Sequence, residues 1–469
     1  MKGYFGWSYQ PYVPLNCKER ENAPYIAALR PGRDFCEVEW VDPVNPQGPH
    51  TAVIEQEGGI LRRQPLEGGR VLLTDLTPRE TYTVTIEDDG DHSRRSDRRL
   101  VTPGDIIGRP VNYLHPEDTA YWYSGNSLCS PAIVKLDSGR LLVSMDIYRP
   151  RYGQNLTKIF FSDDGGESWS FLTDLFPCFW GKLFVHRNAL YMLAMTTEYG
   201  DVLIGRSEDG GRTWPRFVNL FPGSGNRDCG GPHKAPMNIF SHNGRLWTAV
   251  DYGTWERGGH ATGVLSVGED DDLLDPASWT LTPFLPFDDN WPGAAQGKSR
   301  GCLEGNMVLL PDGKLVNFLR YQIQMCTPNH DKAALFAVDT EHPEAPLTLY
   351  KIIDFIGGIS KFSICRDAQS GYYLALVNRV ADPSLPMSRD VLSLTKSRDG
   401  EHWELVSDLM YYHNGQESGQ KVGVQYPDMI IDGDDMLWVQ RTAMNNARNF
   451  HDSNYITFHR LENFRSMLG

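Results

Sequence analysis

The sequence predicts an all-β protein in which a small β-sandwich precedes a six-bladed β-propeller. Six hairpin-like segments recur between residues 130 and 440, with starts about 50 to 70 residues apart, the spacing of propeller blades. Ahead of them, residues 24–103 contain short alternating strands separated by turns, as in a sandwich. We therefore assign residues 1–104 to the sandwich and residues 105–469 to the propeller.

The N-terminal segment carries a corner motif at the start of one strand. The runs "FCEVEW" (35–40) and "TYTVTIEDDG" (81–90) alternate apolar and polar residues, which indicates strands with one buried face. The piece "LTPRETYTVTI" resembles the tyrosine corner of fibronectin type III domains, with Tyr82 as the corner residue. This resemblance implies a fibronectin type III-like module.

Each repeated segment of the second region has the pattern of a β-hairpin. A polar residue or glycine comes first, then an apolar run, a short polar turn and a second apolar run. The six hairpins are residues 130–145, 181–195, 235–250, 305–319, 360–376 and 427–440. One hairpin per blade gives six blades.

Three similar turns lie downstream of these hairpins, where the third and fourth strands of a blade would meet. They are "SDDGGESW" (162–169), "SEDGGRTW" (207–214) and the weaker "SRDGEHW" (397–403). The pattern S-x-D-x-G-x-x-W resembles the Asp-box, or BNR repeat, of the sialidase-like propeller family. Such turns lie on the rim, so the resemblance implies a fold rather than a reaction. The tryptophan is expected to pack between neighbouring blades.

Composition excludes several functional classes. The chain of 469 residues has a formal net charge of −15 and no long basic run, which argues against nucleic acid or an anionic membrane surface as partner. No segment of about 18 apolar residues and no leader pattern is present, so we expect a cytoplasmic protein, or a secreted one if a leader was removed. The eight scattered cysteines favour reduced thiols. No metal or nucleotide motif occurs, and no cofactor is expected. The oligomeric state is left open.

The ends of the hairpin strands define a predicted pocket. In a propeller the innermost strands start beside the central funnel, so residues flanking each hairpin face one cavity. Before the hairpins or at their starts lie Cys129, Ser130, Lys182, His233, Lys234, Glu304, Asn306, Lys361, Tyr426 and Asp428; after them lie Asp146, Arg149, Thr196, Thr197, Asp251, Arg320, Arg379 and Arg441. Recurrent cations favour an anionic ligand. Alternatively, these cations pair with Glu304, Asp428 and Asp251 in a water-filled tunnel.

Two hairpins resemble the catalytic hairpins of sialidases. "LEGNMVLLPDGKLVNFLR" places Glu304 and Arg320 as that family places a glutamate and an arginine of its carboxylate-binding triad. "QYPDMIIDGDDMLWVQR" begins as the last-blade hairpin that carries the nucleophilic tyrosine, which would be Tyr426. The resemblance implies that Glu304 takes the phenol proton, since a phenol with a pKa near 10 attacks poorly at neutral pH. Arg379 would supply a further arginine.

Departures from the family indicate a different sugar. Sialidases begin the first blade with an arginine, whereas this chain has Cys129 and Ser130 there. The stretch "RPRYGQNLTKIFF" lacks the acid/base aspartate, and Asp146 is the nearest replacement. His233 and Lys234 have no counterpart and would suit a uronic acid, as acid and cation.

The sequence therefore supports three hypotheses for a glycan partner. The first is an exo-acting glycoside hydrolase on an anionic or polar glycan terminus, with Tyr426 as nucleophile or base, Glu304 as its partner and Asp146 or His233 as proton donor. The remaining ligand-binding set is Arg320, Arg379, Arg441, Lys182, Lys234, Lys361, Asn306, Asp428 and Arg149. The second is a uronate-directed lyase with Tyr426 or His233 as base. The third is a glycan-binding propeller without catalysis. The loop bearing His451 and Asp452 is expected to cap the funnel.

Overall fold

The computed structural model describes residues 22–255, 259–294, 299–323, 330–412 and 420–469. Within these ranges regular structure is almost entirely β, with short 3₁₀ turns at Pro276–Ser278 and Phe464–Met467 and no α-helix. No helix in the described ranges has the length and apolar character needed to cross a membrane. The fold class expected from the sequence, a β-sandwich followed by a six-bladed propeller, is confirmed.

The sandwich consists of two small sheets. Its strands are β1 (Tyr25–Pro31), β2 (Cys36–Val41), β3 (His50–Gln56), β4 (Gly59–Leu66), β5 (Arg70–Leu73), β6 (Tyr82–Asp88), β7 (Asp91–Arg95) and β8 (Arg99–Val101). One sheet has the order β1-β2-β5, and the other has β4-β3-β6-β7 with β8 also paired to β6. Alternate residues such as Val38, Ile54 and Val84 face inward and form its core.

The first two blades are regular four-stranded antiparallel sheets. Blade 1 contains β10 (Ser127–Lys135), β11 (Leu141–Tyr148), β12 (Leu156–Ser162) and β13 (Ser170–Leu175). Blade 2 contains β14 (Phe179–His186), β15 (Ala189–Met195), β16 (Val202–Ser207) and β17 (Arg216–Phe221). Consecutive strands pair in sequence order because each is joined to the next by a short turn.

Blades 3 and 4 are linked into one sheet by a parallel bridge between His260 and Gly301. Blade 3 has a divided inner strand, β18 (Gly231–His233) and β19 (Phe240–His242), then β20 (Arg245–Thr254), β21 (Gly259–Gly268) and β22 (Trp279–Leu281). Blade 4 contains β23 (Ser299–Leu309), β24 (Leu315–Ile323), β25 (Lys332–Ala337) and β26 (Thr348–Asp354).

The last blade is completed by a strand from the other end of the propeller. Blade 5 contains β27 (Ser363–Arg366), β28 (Tyr373–Val377), β29 (Val391–Ser397) and β30 (Glu404–Tyr411). Blade 6 contains β31 (Gly423–Asp432), β32 (Asp435–Ala443), β33 (Tyr455–Leu461) and β9 (Arg109–Tyr113). The strand β33 is third in this blade, and β9 pairs outside it. This pairing closes the ring.

The three repeated turns share their hydrogen bonds and their packing. Ser162, Ser207 and Ser397 each accept a backbone N–H at 2.8 to 2.9 Å through the hydroxyl oxygen. The tryptophans of the first and third turns pack against the preceding blade: the Trp169 ring lies 5.4 Å from Phe458 of blade 6, and the Trp403 ring lies 5.1 Å from Phe355, just after the last strand of blade 4. The expected packing of these tryptophans between blades is therefore present at both turns.

The sandwich packs against blades 6 and 1. Arg30 donates from Nε to the carbonyl of Val111 in β9 at 3.0 Å, and Glu39 accepts the backbone N–H of Phe171 at 3.0 Å. Arg70 donates to the carbonyl of Trp169 at 2.9 Å. Because these contacts involve the closing strand and its neighbour, the sandwich covers the junction at which the ring closes.

The cysteines of the described ranges carry free thiols: Cys36, Cys129, Cys178, Cys229, Cys302 and Cys365. Cys17 and Cys326 lie outside the described residues.

Candidate active site

One backbone irregularity recurs in the inner strands of four blades. The pairing register shifts at Ser130, Trp180, Glu304 and Tyr426, where φ is +49° to +55°. A residue other than glycine with such a φ costs about 1 to 3 kcal/mol and persists only where the surroundings enforce it. All four side chains line the same axial pocket. The bulges therefore direct these side chains into the funnel.

Buried carboxylates hold two of these bulges from the neighbouring blade. Asp146, at the end of the second strand of blade 1, accepts the N–H of Trp180 at 2.9 Å. Asp251, at the matching place in blade 3, accepts the N–H of Glu304 at 2.8 Å. Burial raises the pKa of Asp146 to about 8. Asp146 does not line the pocket, so the carboxyl expected from the sequence to donate a proton is enclosed beneath the Trp180 bulge.

Tyr426 lies at the centre of a cluster of arginines. Arg320 donates from Nη1 to the phenolic oxygen at 3.3 Å and to Oε2 of Glu304 at 2.6 Å. The guanidinium carbons of Arg441 and Arg389 lie 4.1 Å and 5.0 Å from the centre of the Tyr426 ring. All five side chains are buried. The structure thus brings Glu304, Arg320 and Tyr426 together, as predicted from the sequence.

These charges set the ionisation of the two acidic groups. Burial opposes ionisation of the phenol, but the positive charges of Arg389, Arg320 and Arg441 bring the pKa of Tyr426 below its usual 10. Burial likewise opposes ionisation of Glu304, and the Arg320 guanidinium holds the pKa of this carboxyl below its usual 4.5. Glu304 is therefore a carboxylate at neutral pH, and the Tyr426 phenol, bound to the same Arg320 nitrogen, ionises more readily than a free tyrosine.

The third arginine is not the one named from the sequence. Arg379 points outward and donates to both carboxylate oxygens of Asp408 at 2.8 and 2.6 Å. Arg389 takes the place beside Tyr426 and donates to Oε1 of Gln425 at 2.5 Å. Arg389 lies two residues before β29, outside the hairpin ends from which the pocket was read. The sequence signal that could have identified Arg389 is a basic residue just before the third strand of a blade.

One wall of the pocket is aromatic. The His233 ring lies 4.4 Å from Trp180 and 6.1 Å from Trp255, measured between centroids. Its Nδ1 lies 3.6 Å from Oδ2 of Asp251, which leaves Nε2 for the pocket that His233 lines. Flat aromatic faces beside a polar floor suit a sugar ring, which has apolar C–H faces and a polar edge.

The loop between β32 and β33 contributes a histidine to the pocket. His451 Nδ1 lies 2.9 Å from Oδ1 of Asp452, and Nε2 lies 3.4 Å from Nη1 of Arg441. Burial lowers the pKa of His451 to about 4. At neutral pH the ring is therefore neutral, donates to Asp452 and accepts from Arg441. The loop expected to cap the funnel also helps to hold an arginine against Tyr426.

The lysines of the prediction lie at different depths. Lys361 lines the pocket and donates to the carbonyl of Pro427 at 3.1 Å. Lys182 forms a buried ion pair with Asp428 at 2.6 Å. Lys234 donates to the carbonyl of Ala235 at 3.0 Å, and burial lowers its pKa to about 7. Only Lys361 among these lysines is placed to meet a ligand in this pocket.

Two further predicted residues have structural contacts. The Asn306 amide joins blades 4 and 5 by accepting the N–H of Ile364 at 3.3 Å and donating to the carbonyl of Phe362 at 3.4 Å. The Arg149 guanidinium lies over the Tyr152 ring at 4.3 Å, at the rim. Neither lines the axial pocket.

The pocket has an excess of positive charge. Arg320 is neutralised by Glu304, whereas Arg389, Arg441 and Lys361 have no carboxylate within salt-bridge distance among the described residues. The sequence left open an anionic ligand or internal pairing of the cations. Internal pairing accounts for Lys182 and Arg320. Arg441 and Lys361 line the pocket and can bind an anionic group, whereas Arg389 lies against the Tyr426 ring outside the lining.

The chain was compared with known proteins. No protein-family model matches it, and no curated protein matches its sequence. Among solved structures, it is similar to the Hadza microbial sialidase Hz136, at 12% identity over 97% of this chain and 95% of that one, with a TM-score of 0.51. It is also similar to the α-L-arabinofuranosidase Arb93A of Fusarium graminearum, solved with an iminosugar inhibitor, at 12% identity over 78% and 98%, with a TM-score of 0.50. These similarities show the sialidase-like propeller fold.

Proposed function

We propose that this protein is a carbohydrate-active enzyme, a glycoside hydrolase that removes an acidic sugar from the end of a glycan. The observation that carries the proposal is the buried Tyr426 phenol, which is surrounded by three guanidinium groups and shares Nη1 of Arg320 with Glu304. Arginines bind carboxylates strongly in buried sites. They also stabilise a phenolate, so one arrangement serves both substrate binding and nucleophile activation. The named neighbours, a sialidase and an arabinofuranosidase, support this class.

The reaction would proceed in two steps, transfer of the sugar to Tyr426 and then hydrolysis of that bond. Glu304 accepts the phenol proton as the Tyr426 oxygen attacks the anomeric carbon, and the bond from that carbon to the leaving oxygen breaks. The leaving oxygen takes a proton from His233. Water then attacks the same carbon, the bond to the tyrosine breaks, and the proton of the water passes to His233. Glu304 returns its proton to the phenol.

His233 is the better placed of the two donors considered from the sequence. Its ring lines the pocket, and its Nδ1 lies 3.6 Å from Oδ2 of Asp251. Asp146 is fully buried, and its oxygens accept from Thr157 and from the N–H of Trp180. A proton donor has to reach the leaving oxygen, and His233 alone of the pair borders the space where that oxygen would lie.

The test combines turnover with trapping of the nucleophile. Oligosaccharides ending in sialic acid, glucuronic acid or a neutral deoxy-sugar are incubated with the protein, and the products are read by mass. A fluorinated glycosyl fluoride of the accepted sugar slows the second step, so the peptide containing Tyr426 should gain the mass of one glycosyl group. Tyr426→Phe should abolish turnover and labelling.

The matched control is Tyr113→Phe, which removes a buried phenol whose oxygen accepts the N–H of Thr102, away from the pocket. This variant should keep full activity. Retained turnover in Tyr426→Phe, or labelling of another residue, would remove Tyr426 from the mechanism and refute the proposal as stated.

A uronate-directed lyase is a second candidate, and a specific observation favours it. Arg441 and Lys361, which line the pocket without a carboxylate partner among the described residues, would neutralise a uronate carboxylate, and this makes the proton at C5 easier to remove. Tyr426 or His233 would take that proton, the C4–O bond would break, and the other of these two residues would donate a proton to the leaving oxygen. The product carries a double bond that absorbs ultraviolet light, whereas hydrolysis gives a reducing sugar without it. Binding without either product would identify a lectin.

Two finer assignments of the sequence belong to this proposal. The shared hydrogen bonds of the three turns support their interpretation as Asp-boxes. The Tyr82 phenol accepts the N–H of Thr77 at 2.9 Å, which supports a tyrosine corner and a fibronectin type III-like module. The boundary between residues 104 and 105 stays a prediction. The first strand after it, β9, belongs to blade 6.

A further inference from the structure

A second cleft opens beside the axial pocket on the same face of the propeller. It is lined by loops that follow the second strands of blades 1 and 2 and by the loop that leads into blade 3. Its lining includes Tyr152, Gln154, Thr197, Glu198, Gly225 and Arg227.

Glu198 is the one described residue that borders both cavities. Its side chain is 7% exposed. It accepts from Nε2 of Gln154 at 3.0 Å and pairs with Nη1 of Arg227 at 3.2 Å. A ligand that extends from the axial pocket past Glu198 therefore enters the second cleft directly.

The cleft is held in shape before any ligand binds. The Thr197 hydroxyl donates to the carbonyl of Gly153 at 2.5 Å, which joins the loops of blades 1 and 2. The N–H of Gly225 donates to the carbonyl of Tyr199 at 2.8 Å, and the Thr254 hydroxyl donates to the carbonyl of Arg227. A preformed cleft avoids the entropic cost of ordering loops on binding.

The lining offers an unused buried acceptor and an exposed aromatic ring. The Oε1 atom of Gln154 is buried with no hydrogen-bond partner among the described residues, although a buried polar atom normally has one. Tyr152, at the rim, is 42% exposed and lies under the Arg149 guanidinium. A sugar ring packs on such an exposed face, and its hydroxyls can bond to polar groups of the cleft wall. Arg227 and Glu198 offset each other in charge, so the cleft favours a neutral polar group.

We propose that this cleft binds the neutral sugar on the leaving-group side of the scissile bond. The inference rests on the proposed function, because the acidic sugar would occupy the axial pocket beside Tyr426. The substrate is then an oligosaccharide of at least two sugars, with Glu198 between the acidic sugar and its neighbour. Arg227 and Tyr152 determine specificity for that neighbour and take no part in bond cleavage.

The test compares two leaving groups on the same acidic sugar. The probes are sialyllactose with methylumbelliferyl sialoside, and cellobiouronic acid with methylumbelliferyl glucuronide. Arg227→Met and Tyr152→Ala should each lower kcat/KM at least tenfold for the oligosaccharide, equivalent to about 1.4 kcal/mol, and less than twofold for the aryl glycoside. Tyr152→Ala keeps the test valid if Arg227→Met fails to fold.

Matched controls remove an ion-paired arginine and an exposed tyrosine elsewhere. Arg460→Met breaks a pair with Asp435 at 2.8 Å on blade 6, and Tyr411→Ala removes a ring that is 60% exposed on β30. Neither should change either rate. Equal losses on both leaving groups, or no loss on the oligosaccharide, would overturn the proposal.

Failure of the proposed function gives a different result. If the wild-type protein cleaves no probe, binding of the same four probes is measured by calorimetry. Weaker binding of the oligosaccharide alone in Tyr152→Ala would still support the cleft, although the enzymatic proposal would have failed. Absence of binding, or equal weakening for both leaving groups, would overturn the cleft as well.

Discussion

Replacing Lys234 by methionine should make the protein more stable at pH 6 and should remove a pH dependence at alkaline pH. Lys234 is 1% exposed, and its ammonium donates to the carbonyl of Ala235. Burial lowers its pKa to about 7, and the charges of Lys182 and Lys361 act in the same direction. The folded protein therefore binds this proton less tightly than the unfolded chain does. Methionine has similar length and no charge to desolvate.

The size of the effect follows from the two pKa values. A lysine in the unfolded chain has a pKa of about 10.4, so a folded pKa of about 7 corresponds to about 5 kcal/mol at most. Between these values the unfolded chain binds more protons, so the stability of the wild-type protein rises with pH. Below pH 7 both states are protonated, and the full penalty is present.

Urea unfolding at pH 6, 8 and 10 measures the difference. The free energy of unfolding of Lys234→Met should exceed that of the wild-type protein by several kcal/mol at pH 6. This difference should shrink to near zero at pH 10. Groups that titrate in both proteins cancel in this difference. Lys314→Met, which removes a lysine about half exposed, is the control and should show no trend. A difference between Lys234→Met and wild type that stays constant from pH 6 to pH 10 would refute the reasoning.

Three further predictions concern the site and the rim. Arg389→Met should raise the pKa of Tyr426, since a guanidinium 5.0 Å from the ring is removed. The pKa is measured from tyrosinate absorbance against pH, as the difference from a protein that carries Tyr426→Phe, and an unchanged titration midpoint would contradict the prediction. Glu304→Gln should lower kcat about 100-fold or more and destabilise the fold at pH 7 because Arg320 loses its buried partner. This loss of stability should shrink as pH falls below about 4. The Glu304 carboxylate stabilises the fold fully above its unfolded pKa of about 4.3, and this stabilisation is lost as pH falls through the depressed folded pKa. Urea unfolding at pH 7 and pH 3 tests it. Asp164→Ala should cost about 1 kcal/mol in thermal unfolding, because it removes the acceptor of the Ser168 N–H at 3.0 Å, and a stability equal to wild type would show that the turn does not depend on that carboxylate.

The architecture was largely predictable because a propeller blade is built from local pairings. Each of the six hairpins joins strands separated by a short turn, so the alternation of apolar residues is sufficient to identify them. The closing strand β9 was missed since it is five residues long and pairs with β33, more than 340 residues later. No local pattern distinguishes such a strand from an ordinary linker.

The site was predictable only where its residues stand at the ends of those hairpins. Glu304, Arg320 and Tyr426 follow from the hairpin positions and meet as expected. Arg379 and Arg389 both follow the fifth hairpin, yet the first pairs with Asp408 on the outside and the second lies against Tyr426. Loop geometry decides between them, and sequence spacing carries no information about the direction in which a loop folds back.

The sequence alone therefore determined the all-β class, the number of blades and the chemical character of the funnel, because each depends on short-range periodicity and on which residues end each strand. Only the tertiary structure decided which cations face a ligand, that Asp146 is enclosed below Trp180, and that His451 and Glu198 border the pocket. These outcomes depend on left-handed bulges at residues other than glycine and on contacts between blades far apart in the chain. Such features arise only when the ring closes, since the neighbouring blades then enforce conformations that each segment by itself would avoid.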